Sequence, residues 1–158
     1  MEITLALAVH VLAIVLWIGG VAMVTTVLLP AVRRFKSAEE RVAFFERVER
    51  RFAWQARGTT LLAGASGFYM VDRLGLWPAF RSIEYWWLDA MVLLWLVFTF
   101  MLFVAEPLFL DRWFERQAKR APDSTFALIQ RLHWLLLVLS LVTILGGVAG
   151  SHGLSFSG

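Results

Sequence analysis

The chain contains no cysteine. That absence excludes disulfides, thiolate metal sites, iron–sulfur clusters and haem attached through a C-x-x-C-H motif, so any haem would be held non-covalently. Charge is scarce as well: 17% of the 158 residues are charged and 59% are hydrophobic. There is no internal repeat, no low-complexity tract and no composition break that would mark a second domain. A basic n-region ahead of the first apolar run is missing, and that run is far longer than the apolar core of a signal, so the N-terminal segment is expected to be retained.

What the chain does have is apolar runs of membrane-crossing length. Four are expected to span, at residues 3–29, 52–71, 85–110 and 132–150, because a crossing takes about 20 residues. Little chain is then left for a soluble domain. The expected fold is an all-α integral membrane four-helix bundle forming a single domain over residues 1–158.

The basic residues orient it. Arg33, Arg34, Lys36, Arg41, Arg47, Arg50, Arg51 and Arg57 lie between the first two runs, and Arg112, Arg116, Lys119, Arg120 and Arg131 between the last two, against only Arg73 and Arg81 in the middle connection. The positive-inside bias places both basic segments in the cytoplasm and both termini outside, as in a multi-pass protein of a bacterial inner membrane. The high isoelectric point is accounted for by topology and anionic headgroups, and needs no nucleic acid.

Tryptophans fit the same frame. Trp77, Trp86 and Trp87 are expected as outer anchors and Trp54, Trp113 and Trp134 as inner ones, while Trp17 and Trp95 fall mid-span, where they fill core gaps or contact a cofactor. Ser37 followed by Glu40 is a capping-box signature. It opens an amphipathic cytoplasmic segment with Phe44, Phe45, Val48 and Phe52 on one face, which lies on the membrane or runs into the second span. Residues 72–81, with Gly75 and Pro78, form the outer turn, residues 121–124 separate the last two helices, and the glycines from Gly146 are expected to fray the last helix near His152.

Few ionisable residues lie inside the runs, and each is therefore a candidate for function. His10 is the foremost, read either as a ligand for a metal or haem or as a histidine bonded to a neighbouring helix. His10, Trp17 and Gly20 share one helix face. In the second run Arg57, Thr60, Gly64 and Gly67 align as a strip of small residues above a guanidinium, which is either a close-packing surface or a shelf for a flat ligand whose carboxylates Arg57 would bind. Arg57, Glu106, Arg131 and His133 are expected at similar depth near the inner side, as ion pairs or as a site for propionates or protons. His133 should lie roughly 15 Å from His10 along the membrane normal at 1.5 Å per residue. His152 is then the candidate second ligand, with the glycines beside it able to fold the tail over the outer mouth. His10, His152, Met70, Met91 and Asp89 form an alternative set, of imidazole and thioether character, suited to copper.

The stretch V-H-V-L-A-I-V-L-W-I-G-G-V-A, residues 9–22, resembles the first span of the CopD and HemJ-like group of small bacterial inner-membrane proteins. The likeness extends to the arginine-rich segment leading into A-R-G-T-T-L-L-A-G-A-S-G at residues 56–67. It implies a four-helix scaffold for haem b, porphyrin redox chemistry or copper handling, with His10 as the ligand. A lysine of the HemJ-like third span is missing here, which speaks against protoporphyrinogen oxidation. The function expected is a haem-b-binding, cytochrome-b-like redox protein, a membrane oxidoreductase if it is an enzyme, working with quinol or a redox partner protein and able to oligomerise. A copper-transport protein and a structural subunit of a membrane complex are the alternatives.

Overall fold

The computed structural model describes residues 1–34 and 37–152, apart from the side chain of Asp111. Lys36 of the basic segment and the glycine that follows His152 lie outside the described residues. All regular structure among the described residues is helical. Helix α1 runs Glu2–Val32, α2 Ala38–Arg73 and α4 Pro122–Ser151, while α3 runs Trp86–Phe100 and continues unbroken through Met101–Leu110 and Asp111–Arg120. Glu2–Val32, Ile83–Leu110 and Pro122–Ser151 are each long and apolar enough to cross a membrane.

Side-chain contacts fix the helices as antiparallel neighbours. On α1, Glu2 meets Tyr69 and Arg73 at one end, His10 meets Ala63 and Gly67, and Gly20 lies against Phe52 of α2. Trp95 and Glu106 of α3 face Gly64 and Arg57 of α2, and Met91 faces Gly147 of α4. At the far end Arg41 on α2 pairs with Asp123 on α4 at 2.6 Å. Both basic connections therefore sit at the same end of the bundle.

Ser37 caps α2 as expected: its Oγ accepts the Glu40 N–H at 3.3 Å, and the helix then runs for 36 residues. The amphipathic segment is thus the first third of α2 rather than a separate helix. Phe45, Val48 and Phe52 pack inward, whereas Phe44 is outward-facing, a correction to the expected face. Phe45, Phe114 and Phe126 form an aromatic cluster with ring centroids 5.3–5.8 Å apart, Phe126 edge-on to the other two rings and Phe45 tilted against Phe114. A second core gathers Ala13, Trp17, Ile18, Ala63, Phe98 and Leu137, and Phe52 touches both cores.

Helix α2 ends in a Schellman arrangement, in which Leu76 N–H reaches Val71 O and Gly75 N–H reaches Asp72 O. Gly75 adopts φ +65°, the left-handed conformation this motif requires. The glycines of α4 do not fray it: the helix holds to Ser151 because Gly146 and Gly150, four residues apart, receive the rings of Trp86 and Trp87. This also corrects the expectation for Trp87, whose indole N–H is buried rather than interfacial. Trp54, Trp77, Trp86, Trp113 and Trp134 are outward-facing, in keeping with belt positions.

Two wide turns interrupt the α-helical ladder. Val24–Leu28 and Met101–Leu110 are π-helical, and each precedes or contains a proline, Pro30 and Pro107. In an i→i+5 ladder the donor missing from Pro30 is owed to Thr25 O, and the one missing from Pro107 to Leu102 O. Both carbonyls are supplied from elsewhere: Gln130 Nε2 donates to Thr25 O at 2.6 Å and Arg57 Nε to Leu102 O at 3.1 Å. Two polar side chains from other helices thus close the gaps that two prolines open.

Candidate functional site

His10 occupies the seam between α1 and α2. Its Nδ1 lies 2.9 Å from Ala63 O and 3.1 Å from Ser66 Oγ. A carbonyl can only accept, so Nδ1 carries the proton, and a neutral ring then presents its Nε2 lone pair. Ser66 Oγ donates its own proton to Leu62 O at 2.6 Å and so accepts from His10. Gly67 makes this approach possible, since a Cβ there would lie 3.1 Å from His10 Cε1. The ring is held in one orientation by a carbonyl and a hydroxyl, which is how ligating histidines are commonly fixed.

Depth separates the three histidines. Gly67, opposite His10, is one turn beyond Gly64, and Met91 is one turn beyond Trp95, so His10 is level with Gly147. His152 lies five residues further along α4, roughly 8 Å outward at 1.5 Å per residue. It is exposed, and its Nδ1 bonds Val148 O of its own helix at 2.8 Å. The structure does not bring His10 and His152 together. His133 is in the opposite half of the bundle, as expected from its position in the sequence, with Nδ1 on Ile129 O at 2.9 Å.

The other members of the copper set also stay apart. Met91 packs on Gly147, Asp89 is exposed, and Met70 is half-buried. Among the described residues no group of three or more His, Asp or Glu side chains is placed to hold a metal ion.

The strip on α2 is a packing surface over most of its length. Trp95 lies on Gly64 and donates its indole N–H to Thr60 O at 2.9 Å, and its ring meets Phe68 edge-on at 5.5 Å. At the foot of the strip Arg57 Nη2 pairs with Glu106 Oε1 at 2.9 Å, and the guanidinium stacks 5.4 Å from the Trp54 ring. Of the four residues expected together at this depth, three meet in one place. Arg131 does not, being exposed on the outer side of α4.

That place is a cavity of about 290 Å³ in the half of the bundle nearer the basic connections, walled by α1, α2, α3 and α4. Trp17, Phe52, Phe98 and Leu136 give it apolar walls, and Arg57, Glu106 and His133 its polar ones. The π-helical part of α3 forms one side through Met101, Leu102, Glu106 and Leu110. Trp17 is 5% exposed and packs edge-on against Phe98 at 4.9 Å, yet its buried indole N–H has no acceptor among the described residues. Sequence reading grouped Arg57, Glu106 and His133 by depth and singled out Trp17 separately. It missed the cavity, for which the only signal was Pro107 next to Glu106 inside an apolar run.

Comparison with family models, curated proteins and solved structures finds no match for this chain.

Proposed function

We propose that this chain is a four-crossing protein of the bacterial inner membrane that binds haem b and takes part in electron transfer. The observation that carries the reading is His10: an imidazole inside an apolar helix, its Nδ1 proton committed to Ala63 O, its Nε2 left as a lone pair. The resemblance of residues 9–22 to the CopD and HemJ-like group points to the same residue.

The residues around His10 fit an axial ligand in donor chemistry and in orientation. A carboxylate-binding role for Arg57 is not part of the reading, because that guanidinium is already engaged by Glu106 and Leu102 O. Bound at His10, haem would supply one-electron exchange, with the protein setting its burial and polarity. Copper handling has less support, since Met91 and Asp89 point to other surroundings.

The fourth crossing would be α2. Its hydropathy is diluted by Arg57, Thr59, Thr60, Gly64 and Ser66, but Thr59, Thr60, Gly64 and Ser66 are buried against other helices and need not face lipid. Both basic connections lie at the Arg41–Asp123 end, so the positive-inside bias makes that end cytoplasmic. Reporter fusions should therefore be active in the periplasm at the C-terminus and in the cytoplasm near Arg47. A C-terminal fusion active only in the cytoplasm would overturn this topology.

Absorption spectra of detergent-purified protein, oxidised and reduced, test the cofactor, with metal analysis of the same sample reporting copper. The reduced-haem bands should be present in the wild type and reduced at least tenfold in His10→Ala, with the helical content retained. Unchanged haem content in that variant would remove His10 from the site.

A further inference from the structure

The inner cavity has a hydrogen-bonding pattern of its own. Trp17 offers a donor: its indole N–H is buried, unpaired among the described residues, and belongs to a ring that lines the cavity. His133 offers an acceptor. Its Nδ1 proton is committed to Ile129 O at 2.9 Å, so the neutral ring presents a lone pair on Nε2, for which no protein partner is found among the described residues. The remaining polar wall is closed on itself by the 2.9 Å pair of Arg57 and Glu106.

The lining narrows the ligand. Its charged residues are of both signs, Glu46, Glu49, Glu106 and Glu115 with Arg50 and Arg57, and so do not select an ion of one sign. The walls are otherwise aromatic and aliphatic. On the rim, Leu132 and Trp113 are at once cavity-lining and outward-facing, 47% and 39% exposed, and offer an apolar exit toward lipid. A neutral, flat, membrane-soluble molecule with one group that donates and another that accepts meets all of these conditions.

We propose that this cavity binds the headgroup of a quinol. One hydroxyl donates to His133 Nε2, the other accepts from Trp17 Nε1–H, the ring lies among Trp17, Phe98 and Leu136, and the isoprenoid tail leaves past Leu132. A quinone carbonyl can accept from Trp17 but gives His133 Nε2 no proton, so the reduced form binds more tightly than the oxidised one. The site rests for its biological role on the redox reading above, but its ligand chemistry is read from the cavity alone.

The test uses the full chain in lipid nanodiscs, with decylubiquinol and decylubiquinone as probes and empty nanodiscs as the reference for partitioning. Wild-type discs should retain decylubiquinol above the empty-disc level and hold it about tenfold more tightly than decylubiquinone, the factor that one additional hydrogen bond of about 1.4 kcal/mol supplies. Trp17→Phe, which keeps a ring against Phe98, and His133→Leu should each weaken quinol binding about fivefold to tenfold. Retention no greater than in empty discs, equal affinity for the two oxidation states, or full binding in both variants would overturn the proposal. The comparison of oxidation states needs no mutation, so a variant that fails to fold leaves the test decisive. Haem content of the same wild-type sample separates the two readings: quinol binding without haem retains this site and removes the haem, and haem without quinol binding does the reverse.

Discussion

Arg57→Ala should be among the most destabilising single substitutions in the molecule, by roughly 3–5 kcal/mol, because it removes the cation paired with Glu106 inside the bundle. Both side chains of the pair are largely buried, at 22% and 16% exposure. Two further groups lose a partner: Leu102 O, whose own ladder donor is absent at Pro107, and the face of Trp54. The loss is therefore separable by a cycle. Arg57→Met combined with Glu106→Leu should recover most of the stability, since a well-packed apolar pair replaces a buried ion pair at little penalty. Adding Pro107→Ala to Arg57→Ala should recover about 1 kcal/mol by giving Leu102 O back a backbone donor. Thermal unfolding in one detergent, followed by circular dichroism, measures all four proteins. An Arg57→Ala protein that melts with the wild type would mean that the pair is not formed in the membrane.

The same residues show what could be read in the sequence and what could not. Long apolar runs and the distribution of arginine give the helices and their antiparallel order directly, because length and charge are local properties of the chain. The cap at Ser37 was equally legible, and the structure adds that the helix it starts does not stop before Arg73. The separation of His10 from His133 followed from counting residues at 1.5 Å each. Statements about partners on other helices were met for Arg57, Glu106 and His133 and not for two other residues. His152 was matched to His10 by depth, but an exposed side chain bonded to its own helix cannot reach it. Arg131 was grouped with Arg57 and Glu106 by depth, and its azimuth on α4 turns it outward. Depth is linear in residue number, whereas azimuth around a helix also depends on how neighbours pack. A π-helical turn adds a further shift, since each wide turn rotates everything beyond it relative to an α-helical count.

The glycines make the same distinction testable. Gly58, Gly64 and Gly67 all lie on α2; the sequence sets Gly64 and Gly67 on one strip and leaves Gly58 off it, but does not name the side chain each one meets. In the structure a Cβ on Gly64 would lie 2.5–2.6 Å from Trp95 ring atoms, whereas a Cβ on Gly58 meets nothing within 4 Å. Trp95 cannot yield freely, because its indole N–H is bonded to Thr60 O at 2.9 Å and its ring sits against Phe68. Gly64→Val should therefore destabilise the bundle by about 1–3 kcal/mol from overpacking. About 1 kcal/mol more is lost if the ring moves far enough to break its hydrogen bond. Gly58→Ala should be neutral or stabilising by up to about 1 kcal/mol, the helix-propensity difference. Trp95→Leu should offset much of the Gly64→Val penalty, since it removes the atoms that clash. Thermal unfolding of the three single variants and of the Gly64→Val, Trp95→Leu double variant completes a cycle for the α2–α3 seam. Additive effects in that cycle would show that Trp95 does not pack on Gly64.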